Sequence, residues 1–213
     1  MHLTKTDIQN TERIKRLNII NSITGIKPAN LIGTTSNEGA SNLAIFSSVI
    51  HLGSDPALIG FVLRPQHKRR SHTFENIREN GYYTINHVSS FFVEQAHFTS
   101  AKFDKEESEF KKCGLTEEYV PGFVAPFVKE SRVKLGMKFL EKMPIKANDT
   151  MLIIGGIEHL IVPSDAMDKE GHIDLDRVDG VGISGLNSYY HLEKMTQFFY
   201  ARPGELPDFS GNK

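Results

Sequence analysis

Apolar and polar positions fall into short, strand-length stretches along most of this chain. Ala29 to Thr35 reads as a strand, and Asn37-Glu38-Gly39 as the hairpin turn after it. Asn42 to His51 is a second strand whose alternation is imperfect, with Ser47 and Ser48 held between apolar neighbours. A buried hydroxyl needs a partner, so at least one of the two should bond the backbone or a ligand. Ala57 to Leu63 is almost continuously apolar, the pattern of a strand covered on both faces, and Pro65 stops it. Tyr82 to Val88 alternates again. Met151 to Val162 is the clearest late strand, and Gly155-Gly156 within it predicts a bulge or a close backbone approach.

Helical spacing is confined to shorter pieces. Asp7 to Asn21 carries Ile8, Ile14, Leu17 and Ile20 near one face, with Thr6 as its cap. Thr73 to Asn80 is a short helix ended by Gly81. Ser89 or Ser90 can open another through Phe91, Phe92, Val93 and Ala96, and Lys105 to Lys112 is a charged helix ended by Gly114. Residues 119–136, with Pro121, Gly122, Pro126 and Gly136, read as a long loop leading into a strand, and 178–191 as irregular. Glu193 to Tyr200 is rich in aromatic residues, and the tail beyond Pro203 reads as loose. No regular strand–helix alternation is present, so the expected class is mainly β (α+β), a barrel with peripheral helices. One domain is expected over 1–213: an N-terminal helix at about 6–21, a barrel at about 29–162 and an extension at about 163–213.

Composition narrows the function. With 39% hydrophobic and 24% charged residues over 213 positions, the chain is an ordinary globular protein. Its net charge of −1 argues against nucleic acid or an acidic membrane as main partner, since either needs a broad basic surface. No apolar run approaches the ~20 residues that span a bilayer, and the N-terminus shows no secretory signal. The single Cys113 cannot close an intrachain disulfide. The cytoplasm is the expected location.

Candidate chemistry lies mostly between residues 42 and 102. Ser47, Ser48, Arg64, Arg70, Thr73 and Lys102 recur at element ends, where polar groups can hold a phosphate. The run His67-Lys68-Arg69-Arg70 leads into the start of the Thr73 helix, and exposed N–H groups with the helix dipole make such a start an anion site. No aromatic residues interleave with the run, which weakens a nucleic-acid reading. Gly180-Val181-Gly182-Ile183-Ser184-Gly185 matches a dinucleotide-binding string but lacks an apolar strand before it, so it reads as a glycine-rich loop. No spacing of His, Cys or carboxylates suits a metal. Cys113 has no setting that would make it a nucleophile. Tyr189 and Tyr190 could wall a planar cofactor.

Taken in order, several pieces carry a resemblance. They are Asn42-Leu43-Ala44-Ile45-Phe46-Ser47 after a glycine turn, Asp55-Pro56-Ala57, and His72-Thr73-Phe74-Glu75-Asn76-Ile77. Tyr83-Thr84-Ile85-Asn86, Ala96 to Phe103, Gly155-Gly156-Ile157-Glu158-His159 and Tyr189-Tyr190 complete the series. From about Arg13 to Pro203 the chain resembles the flavin reductase-like proteins, whose fold is an FMN-binding split β-barrel, flavoredoxin-type proteins included. The resemblance implies a homodimer with FMN near the subunit interface. Asn42, Ser47 and Ser48 would then lie along the flavin, Thr73 and Lys102 would contact it or its phosphate, and Tyr189 or Tyr190 would approach the ring. Arg64 and Arg70 join them on the charge argument. Two departures are visible: Leu43-Ala44-Ile45 lacks the proline many relatives carry after the alanine, and the basic run is longer than usual. The implied activity is NAD(P)H-dependent flavin reduction with a small-molecule or flavin acceptor, in which the chemistry belongs to the cofactor and no acid–base dyad is needed. The rival readings are an FMN-carrying electron-transfer protein without nicotinamide specificity and a non-catalytic split-barrel dimer.

Overall fold

A computed structural model describes residues 1–67 and 71–209. Two short helices open the chain, α1 (Lys5–Asn10) and α2 (Arg13–Ser22), and neither contains a buried residue. The single expected helix is therefore two. Thr4, not Thr6, caps the first in a reciprocal pairing with Asp7, and the Glu12 carboxylate caps the second.

The strands that follow are β1 (Lys27–Pro28), β2 (Asn30–Thr35), β3 (Ser41–Phe46), β4 (Val49–Ser54) and β5 (Ala57–Leu63). Then come α3 (His72–Asn80), β6 (Tyr82–His87), α4 (Val93–Phe98) and α5 (Glu109–Cys113). Last are β7 (Glu117–Glu118), β8 (Phe127–Val128), β9 (Lys134–Ile145), β10 (Thr150–Ile161), β11 (Val181–Ser184) and β12 (Ser188–His191). Seven strands form one antiparallel sheet in the order β3-β2-β6-β9-β10-β5-β4, and β1-β11-β12 form a second.

The two edge strands of the large sheet, β3 and β4, are consecutive in the chain, and the corner between them curls the sheet. Ser48 at that corner donates its hydroxyl to the Val62 carbonyl (3.0 Å) and accepts from the Val62 N–H (3.2 Å). Phe46 meets Phe61 edge-on at 5.1 Å between ring centroids. The end of β3 is thereby held against β5, and the sheet becomes a barrel left split between β3 and β4. The expected long strand over Asn42–His51 is broken here because the two serines turn it.

Alternation sorts the side chains between two cores. Ile32, Phe61, Leu63, Ile77, Tyr83, Ile85, Met137 and Ile153 fill the barrel. Leu31, Leu43, Val88, Phe92, Ala96, Phe110, Val181 and Ile183 form a second core outside β2 and β3, under α4, α5 and the small sheet. The glycine-rich stretch 180–185 is mostly strand, not loop, since Val181–Ser184 pairs with Ser188–His191. The charged helix is shorter than expected, starting only at Glu109. Ala57–Leu63 also departs from its pattern. Phe61 and Leu63 are buried in the barrel, but Leu58 and Val62 on the outer face are only half-buried.

Candidate functional site

The site is built where α3 begins. Ser71 precedes its first turn with extended backbone, and its side chain makes no capping bond. The N–H groups of a first helical turn have no partners within the helix, so a helix start with an unused cap offers donors to an anion. Gly81 ends the helix in the left-handed conformation (φ 79°), where a side chain would be strained.

Beneath that first turn lies a buried polar network. The Asn42 amide donates to Thr73 Oγ1 (3.1 Å) and to Thr34 Oγ1 (3.3 Å), and the Asn76 amide donates to Thr34 Oγ1 (3.1 Å). All four residues are buried, and Asn76 Oδ1 has no partner. Two of the predicted site residues, Asn42 and Thr73, are thus in direct contact. At 2% exposure Thr73 fixes the helix start from below; its hydroxyl accepts from Asn42 and keeps its own proton to donate.

The connection from β5 into α3 is tied by Gln66. Its amide donates to the Arg64 carbonyl (2.6 Å), and its Oε1 accepts from the Ser71 N–H (2.8 Å). Arg64 is exposed at the β5 end of this connection. Arg70 lies outside the described residues. Ser47 and Ser48 stand at the β3–β4 corner, half-buried, with the Ser48 hydroxyl taken by Val62 as the sequence led one to expect.

The remaining predicted residues are elsewhere. Tyr189 on β12 packs against the outer core beside Ile45, and its Oη lies 3.0 Å from His97 Nδ1 of α4. Asn42 points to the opposite face of β3, toward Thr73. Burial pushes the Tyr189 phenol up to about 12, so it is protonated at neutral pH. Tyr190 and Lys102 are exposed. The predicted set therefore divides into an α3 group of Asn42, Thr73 and Arg64, with the Ser47–Ser48 corner near Val62, and the β12 pair Tyr189 and Tyr190 beside α4, with Lys102 exposed in the chain beyond α4.

Sequence reasoning missed Thr34, Asn76, Gln66 and Glu109. Asn76 could have been found, because it follows Thr73 by three residues and shares its helix face. Glu109 could not: its carboxylate accepts from the Leu43 N–H (2.9 Å) across a long separation and blocks the open edge of β3 beside Asn42. Burial raises its pKa, and the Leu43 bond opposes the rise.

A split barrel with an open helix start and polar groups at its β3–β4 corner has the donor set for a flat, phosphate-bearing cofactor, and the comparisons define the class as flavin proteins. The chain belongs to the family described as flavin reductase like domain, which matches residues 26–178. It is 49% identical to a candidate flavin reductase with a split barrel domain from Shewanella frigidimarina NCIMB 400, with a TM-score of 0.90 over 94% of this chain and 100% of that one. An uncharacterized protein of Halalkalibacterium halodurans is 32% identical over 76% of this chain and 80% of its own length. The flavoredoxin of Desulfovibrio vulgaris (Miyazaki F), at 24% identity, shares the fold with a TM-score of 0.69 over 88% of this chain and 93% of that one. The protein is a flavin-related oxidoreductase.

Proposed function

We propose that the chain is an FMN-binding, NAD(P)H-dependent flavin reductase that works as a homodimer in the cytoplasm. The observation that carries this reading is the uncapped start of α3 with the buried Asn42–Thr73 contact beneath it, inside the span that matches the family. The residues present fit the group. One helix start with free N–H donors, the Thr73 hydroxyl proton and Arg64 at the far end of the connection suit a single terminal phosphate, Arg70 is expected to join them on charge, and among the described residues no second anion-binding element marks a place for an adenylate half. FMN is therefore preferred to FAD.

In this reading Ser47 and Ser48 lie along the ring with Asn42 behind them, the first turn over Thr73 takes the phosphate end with Arg64 and Arg70, and Lys102 and Tyr189 or Tyr190 reach the flavin of the other copy across the subunit interface. When bound, FMN supplies the capacity to take a hydride from reduced nicotinamide and pass electrons onward. The chain's part is orientation. The Ser48–Val62 bonds fix the corner, the Asn42–Thr73 bond fixes the start of α3, and Gln66 holds the connection between them. A site fixed this way presents its donors without reorganisation when the ligand arrives.

The test is titration of the apo-protein with FMN and FAD, followed by rapid mixing of the loaded protein with NADH and NADPH. Tighter binding of FMN and fast bleaching of its absorbance are expected. A loaded protein that neither nucleotide bleaches would be an electron carrier instead. A protein that binds no flavin would overturn the proposal.

A further inference from the structure

Among the described residues, two large apolar surfaces of this chain stay open. The first is the outer face of β4, β5, β10 and β9. By register, Val62 pairs with Leu152, Gly60 with Ile154 and with Ile50, and Leu152 with Met143, all on the face opposite Phe61 and Ile153. A Cβ placed at Gly60 would stand 2.9 Å from Leu52 and 3.1 Å from Leu152, so both side chains lie over that glycine on the same face. Ile50, Leu52, Leu140 and Met143 are 44%, 39%, 54% and 48% exposed. The helices do not cover this face: α3 packs on β2 and β3, and α4 and α5 pack on β3. The apolar run Ala57–Leu63 has the pattern of a strand covered on both faces, yet among the described residues only one face is covered.

The second surface is the C-terminal segment. Met195, Phe198, Phe199, Tyr200, Leu206 and Phe209 are 96%, 85%, 99%, 87%, 69% and 74% exposed. Scattered surface apolar residues need no explanation, but six large ones in one short segment do. The root of this segment is pinned away from the bare face. β12 belongs to the small sheet, Tyr189 packs on the outer core of β2 and β3, and the Lys194 N–H donates to Asp176 Oδ2 (3.1 Å).

We infer that segment 195–209 of one chain straps across the outer face of β4, β5, β10 and β9 of a second copy, and that the second copy returns the same contact. Reach and area both favour this occupant. Four strands span about 15 Å, and the segment can extend about 50 Å, enough to leave its own body and cross the face. Aromatic side chains bury about 150–250 Å² each, so two exchanged segments and the faces beneath them reach the roughly 2,000 Å² typical of permanent homodimers. One contact also covers both unpartnered surfaces of both chains at once. The inference rests on the homodimer of the proposed function and gives it a surface.

The experiment uses the full chain carrying Cys113→Ser. Light scattering over a dilution series should show a dimer. Phe198→Ser/Phe199→Ser/Tyr200→Ser and, separately, Leu140→Glu should each raise the dissociation constant at least a hundredfold with an unchanged circular dichroism spectrum. Phe199→Cys protein mixed with Leu52→Cys protein should yield a covalent heterodimer with a short bis-maleimide. A monomeric parent overturns the inference. So does a dimer with the parent's dissociation constant in the tail variant, or cross-linking of a Leu52→Cys/Phe199→Cys double variant within one chain at high dilution. FMN titration of the same proteins keeps the two readings apart: failure to bind flavin counts against the reductase, while the scattering and cross-links still report on the strap.

Discussion

Tyr83 is the most informative side chain in the barrel because its hydroxyl is buried with no partner. The ring sits edge-on to Phe61 at 5.6 Å, and burial raises the phenol pKa. Opposite it, a Cβ at Gly155 would lie 2.2 Å from Tyr83 Oη and 3.0 Å from the Lys138 carbonyl. The strand pairing slips at this point, between Ile154 and Gly155. Gly155→Ala is therefore expected to cost about 1–3 kcal/mol, the range for overpacking a filled core. Tyr83→Phe removes a hydroxyl that makes no bond, so it should be neutral or stabilising, and Tyr83→Phe/Gly155→Ala should regain part of the loss. Urea unfolding of the three variants checks this; an unperturbed Gly155→Ala would mean the strand moves freely there. The glycine pair announced a bulge or a close approach, and both exist. Which atom comes close was not legible, because Tyr83 arrives from another strand and its distance in sequence says nothing of their contact.

The start of α3 shows the same division between local and distant information. The helix and its glycine stop were readable from neighbours in the chain. The fact that Thr73 faces Asn42 from beneath, and not open solvent, depends on how β3 meets the helix. Strands β11 and β12 were missed for a related reason: Gly182 and Gly185 mask the pattern, and only pairing with each other and with β1 makes them strands. These placements sharpen the expected ligand effects. Thr73→Ala removes one buried hydrogen bond, about 1 kcal/mol, and loosens the donors above it, so FMN affinity should fall roughly fivefold. Lys102 is exposed, so the effect of Lys102→Ala should stay within about 1 kcal/mol and vanish at high salt. Fluorescence titration with FMN at two salt concentrations measures both. A salt-independent loss in Lys102→Ala would show that this lysine is enclosed when the ligand is bound.

Acid response is where separate parts of the fold add up, because a half-buried histidine and a buried glutamate pull in opposite directions. His87 ends β6 opposite Asn30, and burial pushes its imidazole down from 6.5 to about 4. The folded state keeps His87 neutral while the unfolded chain protonates it near 6.5. Its contribution is therefore complete above pH 6.5 and is lost as pH falls toward 4, a window worth up to about 3 kcal/mol at 1.36 kcal/mol per unit. Glu109 behaves in reverse. Its folded pKa is raised above 4.5 by burial, so the folded state binds a proton that the unfolded chain has already released. Stability from this group is present below pH 4.5 and declines as pH rises through the raised value. Between pH 6.5 and 4 the histidine loss should dominate, since the glutamate gain is opposed by its bond to the Leu43 N–H. His87→Gln should flatten the decline of the melting temperature over that window. Glu109→Gln, which can keep an oxygen on Leu43 without burying a charge, should raise stability at pH 7 and match the parent near pH 4. Thermal melts of parent and both variants from pH 4 to 8 measure this, and a His87→Gln profile parallel to the parent's would assign the acid sensitivity to other groups.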